Sequence, residues 1–209
     1  MTELATSIFE AMWIAGILAF AISGALVGVR HNLDILGVLV VGVATGIGGG
    51  IIRDVILGVH PPVSFMVWPY WTTALVGSFV VFFIHPSLTK IRRFELVFDG
   101  FGLGIFSAYG AAIATEAGFD IMTCIFVGTI VSIGGGVIRD MLINDVPGVL
   151  TRDMYAVSAI LGASVATVIT RLTGDMLIAS IIGGILAIAL RLTSHARGWN
   201  LPKPRKVTA

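Results

Sequence analysis

Seven runs of predominantly apolar residues, at 8–28, 35–58, 67–84, 96–115, 121–143, 154–171 and 175–192, leave this chain few ways to fold. About 20 such residues cross a bilayer's hydrocarbon core as a helix, and these runs have that length. Charged residues make up 12% of the chain and hydrophobic residues 56%, with a mean hydropathy of +1.00. A soluble domain carries about 25% charge and needs it to stay dispersed. The expected fold class is an all-α membrane protein with seven transmembrane helices in a single domain, 1–209. The opening segment MTELATSIFE holds Glu3 and Glu10 and no basic region, so the first run is read as a retained span rather than a cleaved signal. Cys124 is the only cysteine, which rules out an intrachain disulfide.

The links between runs are short, and their charge is lopsided. Seven spans put the termini on opposite sides of the membrane. With the N-terminus outside, the inner segments hold Arg30, Lys90, Arg92, Arg93, Arg152, Arg191, Arg197, Lys203, Arg205 and Lys206, and the outer segments hold only Arg171. Basic loops remain cytoplasmic. The expectation is therefore a multi-pass protein of a bacterial inner (plasma) membrane, with its N-terminus periplasmic and its C-terminus cytoplasmic.

Sliding the sequence by 86 residues superposes TGIGGGIIRDVILG (45–58) on VSIGGGVIRDMLIN (131–144) without a gap. Between 16–61 and 102–147, sixteen of forty-six positions are identical, among them Gly48, Gly49, Gly50, Arg53 and Asp54 with Gly134, Gly135, Gly136, Arg139 and Asp140. Each copy holds three spans (repeat one 8–85, repeat two 94–171), with a seventh helix at 175–192 and a basic cytoplasmic tail at 193–209. Three is odd, so the second copy crosses the membrane in the opposite sense. Many transporters are built on such inverted repeats, with sites near the midplane at discontinuous helices.

Glycine costs about 1 kcal/mol relative to alanine inside a helix, so each triplet predicts a broken helix in spans two and five. A break would free carbonyls that carry partial negative charge. The two ends, converging from opposite faces, would offer a transient seat for potassium or sodium near the Gly48 and Gly134 carbonyls. The competing reading is close helix packing through small residues. Arg53, Asp54, Arg139 and Asp140 follow the triplets at membrane depth, where a lone charge costs at least about 2.5 kcal/mol. They are read as gating or pore-lining charges, with bracing of two helices as the alternative. Neighbouring side chains leave a helix about 100° apart, so pairing across the repeat, Arg53 with Asp140 and Arg139 with Asp54, is expected instead of pairing within each Arg-Asp dipeptide.

Other polar candidates for an ion pathway are Thr45, Ser132, Ser23, Tyr109 and Thr129. Tyr109 occupies the repeat position of Ser23, and its ring could close a narrow pore. Hydroxyls in spans ordinarily bond back to their own helix. Asp99 opens span four and is read as a partly interfacial carboxylate. His31, His60, His85 and His195 lack metal-ligand spacing. GIGGG lacks the βαβ context of a dinucleotide site. No enzyme chemistry, cofactor or nucleic-acid partner is expected.

The combination FAISGAL (20–26), LDILGV (33–38), TGIGGGIIRDVILG (45–58), IGGGVIRDML (133–142) and P-x-x-L-x-R-D-x-Y-A (147–156) resembles the prokaryotic trimeric intracellular cation (TRIC) channels. The resemblance implies a seven-helix protomer with two inverted repeats, a homotrimer in the lipid bilayer, and a separate pore in each protomer. It also implies passage of potassium and sodium ions, with the glycine triplets kinking spans two and five beside the pore. Eukaryotic relatives carry a lysine-rich phosphoinositide-binding signature after the first triplet, where this chain has IIRDV. Related bacterial sequences have been labelled glycine transporters, so a small-zwitterion carrier is the alternative: a broken helix offers both carbonyls and N–H groups.

Overall fold

Paired aspartates set the register of the fold. In the computed structural model, which describes residues 3–85, 87–151 and 154–202, Asp34 caps α2 (Ile35–Ile56) by accepting from the Gly37 N–H at 2.7 Å. Its repeat partner Asp120 caps α6 (Ile121–Leu142), accepting from Met122 and Thr123 at 3.0 and 3.1 Å. The Thr123 hydroxyl, together with these backbone bonds, holds the Asp120 carboxyl below its ordinary range. Such caps satisfy N–H groups that the first turn of a helix leaves unpaired. The turns before and after these helices each need one left-handed residue. Asn32 and Gly118 supply the first, at φ 56° and 84°, and Gly58 and Asn144 the second, at φ 72° and 57°. Only Gly and Asn enter that region at low cost, and each repeat makes the opposite choice at each turn.

The remaining helices are α1 (Glu3–Arg30), α3 (Val63–Met66), α4 (Trp68–Ile84), α5 (Leu88–Glu116), α7 (Gly148–Thr151), α8 (Tyr155–Thr173) and α9 (Met176–Ala196). Six of the described helices are long and apolar enough to cross a membrane, and α4 is a shorter apolar helix of 17 residues. The architecture is all-helical, with the short helices α3 and α7 at matching places in the two copies. Contacts between repeats run antiparallel. Trp13 stacks on Phe106 and Phe9 on Tyr109, each at 4.1 Å between centroids. As residue numbers rise along α1, those of its partners on α5 fall. The last long helix, α9, packs mainly on α5 and α8 of the second repeat.

Three boundaries differ from the sequence reading by four residues or more, the first being that of α1, which starts at Glu3 instead of 8. Helix α5 starts at Leu88 instead of 96, because Ile91 and Glu95 carry an inward-facing stripe through the basic segment: both are buried, and Glu95 pairs with Arg30. Helix α9 extends to Ala196, and Gly198 at φ 64° turns the chain away beyond it. Arg152, Lys203, Arg205 and Lys206, counted above for orientation, lie outside the described residues.

The predicted breaks are absent: α2 and α6 continue as helix through their triplets. The expected cation seat at the Gly48 and Gly134 carbonyls thus loses the break from which it was argued. Packing accounts for the glycines, and each of the three has its own neighbour. A methyl at Gly48 would sit 2.7 Å from Ile138 Cδ1, and one at Gly134 2.6 Å from Ile52 Cδ1. A methyl at Gly49 would collide with the Val131 carbonyl, and one at Gly135 with the Thr45 carbonyl. The third glycines, Gly50 and Gly136, face the two arginine sites described below. The helices thus cross backbone to backbone, the approach that small residues permit in membranes, and this offsets the poor helix propensity.

Gly49→Ala and Gly135→Ala should therefore each lower stability, by about 1–3 kcal/mol for overpacking. Gly100→Ala, where a methyl meets only ordinary contacts at 3.4 Å, should be tolerated. Thermal melts of the purified variants in detergent test this; equal melting of all three would contradict the crossing.

Candidate functional site

Arg53 and Arg139 lie one turn beyond their triplets and are 6% and 1% exposed. Each pairs with the aspartate next to it. Arg53 Nε donates to Asp54 Oδ1 at 2.8 Å, and Arg139 Nε to Asp140 Oδ1 at 2.8 Å. The expected pairing across the repeat is not what the structure has. The divergence of neighbouring side chains is overcome by the length of arginine, which curls back. The second oxygen of each aspartate is held elsewhere: Asp54 Oδ2 accepts from the Val63 N–H at 2.8 Å, and Asp140 Oδ2 from the Gly148 N–H at 2.7 Å. These bonds tie α2 to the start of α3 and α6 to the start of α7. The donors are one repeat position apart because Pro62, the partner of Gly148, has no N–H to give.

Beyond the aspartates the two sites share a geometry and differ in chemistry. Arg139 Nη1 donates to Asp99 Oδ1 at 2.8 Å and to Ser23 Oγ at 2.9 Å. Subtracting or adding 86 turns Asp99 into Trp13 and Ser23 into Tyr109. Those two are the groups around Arg53, whose Cζ lies 4.4 Å from the Trp13 ring centroid and 5.8 Å from that of Tyr109. One arginine is thus held by a carboxylate and a hydroxyl, the other by two aromatic faces. The difference extends one turn further along the same helices, where Phe9 corresponds to Glu95. Phe9, Tyr109, Trp13, Phe106 and Phe20 form a continuous aromatic stack on the Arg53 side. The Arg139 side has Glu95 and Asp99 at i, i+4 on α5, both buried.

Asp99 is fully buried instead of interfacial, because α5 begins two turns earlier than expected. Arg191, counted above as a loop cation, is also fully buried and lies over the Tyr155 ring at 4.8 Å from its centroid. Thr45, Ser132 and Thr129 bond back to the carbonyls of Val41, Thr129 and Ile125 at 2.6, 2.8 and 2.7 Å, the usual fate of hydroxyls in spans. The site therefore brings together Arg53, Asp54, Tyr109, Arg139, Asp140, Asp99 and Ser23, but not the three back-bonded hydroxyls. Trp13, Tyr155, Glu95 and Arg191 join it and were not singled out from the sequence. The crevice lined by Gly136, Arg139, Asp140, Gly148 and Tyr155 is too tight for a water-sized sphere. The Arg139 side is closed in this conformation. Among the described residues no group of three or more His, Cys, Asp or Glu is gathered as a metal site.

Fold and site define a polytopic helical membrane protein with an internal antiparallel repeat and buried, paired charges where the repeats meet. A model of the family described as "Glycine transporter" matches residues 10–86 and 96–171. A UPF0126 membrane protein of Deinococcus radiodurans is 37% identical over 195 residues, covering 92% of this chain and 90% of that one. A solved TRIC cation channel structure, concerned with the basis of conductance, shares 37% identity at a TM-score of 0.87, covering 97% of this chain and 100% of that one. The TRIC trimeric intracellular cation channel orthologue of Rhodobacter sphaeroides shares 30% at a TM-score of 0.86, covering 92% and 99%. The chain belongs to the prokaryotic TRIC channel family. These relatives are channels and membrane proteins, not enzymes.

Removing one partner of a buried ion pair costs about 3–5 kcal/mol, because it strands the other. Arg139→Gln strands two carboxylates, whereas Arg53→Gln strands one. The Arg139 variant should therefore melt at the lower temperature, as read by thermal unfolding in detergent. The reverse order would contradict the assignment of Asp99 to Arg139.

Proposed function

We propose that this chain is a passive channel for monovalent cations, chiefly potassium with sodium also admitted, in the bacterial inner (plasma) membrane. It acts as a homotrimer with a separate pathway inside each protomer. The N-terminus is periplasmic and the C-terminus cytoplasmic, a reading supported by the basic bias of the inner segments. Family membership supports the channel class. The observation that carries the mechanism is the pair of buried arginine sites, related by the repeat and set where α2 crosses α6 and α1 crosses α5.

A fixed positive charge would repel the ion it is meant to pass. The objection disappears if each arginine is a tethered stand-in for that ion. Ring faces that hold a guanidinium attract any cation, and so does the Asp99 carboxylate. When Arg53 swings off Trp13 and Tyr109, or Arg139 off Asp99 and Ser23, the groups left behind suit a permeating monovalent cation. In the closed conformation the arginines occupy those positions, and Asp54 and Asp140 provide the hinge by staying bound to Val63 and Gly148. The triplets contribute by letting the helices cross closely, so that one arginine displacement opens a path between them.

Reconstituted in planar bilayers, the protein should give cation-selective single-channel currents. Silent bilayers together with saturable solute uptake would instead support the carrier. Trp13→Leu removes a cation–π contact worth about 0.5–2 kcal/mol. It should raise the ratio of open to closed times by up to roughly thirtyfold, at 1.36 kcal/mol per factor of ten. An unchanged ratio would show that Trp13 does not hold the gate shut.

A further inference from the structure

The two arginine sites are equivalent in position, but only the second leaves a carboxylate oxygen unanswered. Asp99 is fully buried, and while its Oδ1 is taken by Arg139 at 2.8 Å, its Oδ2 meets no hydrogen-bond partner from the protein. The hydroxyl of Tyr155, a residue 3% exposed, is likewise unpartnered. The two are brought together by the third glycine of the triplet. A methyl on Gly136 would stand 3.0 Å from Tyr155 Oη, 3.7 Å from Arg139 Nη2 and 3.9 Å from Asp99 Oδ1. At the equivalent Gly50 the Trp13 indole fills this space, at 2.8 Å, with Ser64 Oγ at 3.2 Å. A buried acceptor left unmade costs about 1–3 kcal/mol. Side chains that could have closed the site with an indole, as in repeat one, instead leave two buried oxygens beside it without a partner.

We infer that Asp99 Oδ2 and Tyr155 Oη form a binding seat for a monovalent metal cation, present in the second repeat and absent from the first. The inference deepens the channel reading and rests on it. The donor set fixes the ligand class. One spare carboxylate oxygen and one neutral hydroxyl fall far short of the six to eight oxygens a calcium ion takes, and magnesium gives up its water reluctantly. A monovalent ion takes as many oxygens but sheds its water at lower cost, so it can exchange two waters for these oxygens and keep the rest of its shell. The charges agree: the bonds at the site set two carboxylates, Asp99 and Asp140, against the Arg139 guanidinium. Arg191 approaches from α9 over the face of the Tyr155 ring, where the ring quadrupole receives its charge and the hydroxyl remains available at the rim. The crevice beside Gly136 is tight here, so the ion enters by a local shift of the Arg139 side chain that leaves the helices in place and is open to a soaked crystal. Conduction is then a two-stage passage between unlike stations, an aromatic one at Trp13 and Tyr109 and a carboxylate one at Asp99 and Tyr155.

Thallium(I) reports the seat directly. Crystals of the full chain soaked in thallium nitrate should show one anomalous peak per protomer in ligand contact with Asp99 Oδ2 and Tyr155 Oη. The peak should be lost in Asp99→Asn and weakened in Tyr155→Phe, which keeps the ring under Arg191 and guards against misfolding of the first variant. Absence of the peak from wild-type crystals, or its survival in both variants, would overturn the site. Bilayer currents on the same preparations separate the two readings. Cation-selective currents from wild type without a thallium peak refute this seat and leave the channel intact. A peak with silent bilayers retains the seat and removes the channel.

Discussion

A guanidinium has no neutral form to fall back on, so each arginine buried in a membrane protein obliges its surroundings to answer a full charge. Arg53 and Arg139 impose that obligation twice, at places related by the repeat, and the rest of the architecture follows from meeting it. The adjacent aspartate supplies the counter-charge in both copies. The short helices α3 and α7 supply the N–H that fixes the aspartate. The glycine before the arginine clears the volume its partners need. Neutralised in this way, the arginines can lie between helices without the whole cost of an isolated intramembrane charge.

The second constraint is the closeness of the crossing. Gly49 against the Val131 carbonyl and Gly135 against the Thr45 carbonyl bring two antiparallel helices to backbone contact. Without a hydrophobic drive between helices in lipid, such packing is a main source of cohesion. It also couples the two arginine sites mechanically, since any shift of α2 on α6 moves both. The sites are nonetheless unequal. A cation–π grip of about 0.5–2 kcal/mol is weaker than a buried bond to a carboxylate, whose loss costs several kcal/mol. On the proposed gating, the aromatic side is the one that yields first.

Much of the fold was legible in the sequence, because long apolar runs and a gapless repeat admit few other arrangements. The odd number of spans per repeat required inversion. The glycine triplets were misread as breaks because propensity was weighed without the partner helix, and tertiary contact overrides a local cost of about 3 kcal/mol. Partner choice for Arg53 and Arg139 also failed from sequence. A helical-wheel angle says nothing of a long flexible side chain, or of a distant N–H that fixes the aspartate. Trp13 and Glu95 could have been found. Comparing the repeats from residue 9 instead of 16 places Phe9 on Glu95 and Trp13 on Asp99, which exposes the contrast between aromatic and acidic sides. Tyr155 and Arg191 gave no such signal, for α9 lies outside the repeat and position 69, the counterpart of Tyr155, is a proline.

The central claim is that the arginines are displaceable plugs and not braces. Single-channel recording of Arg53→Gln in planar bilayers tests it most directly, since this variant removes the more weakly held plug and leaves Asp99, Arg139 and Asp140 in place. The account predicts a higher open probability with cation selectivity retained. Currents indistinguishable from those of the unaltered protein, from a variant that folds and assembles normally, would contradict it.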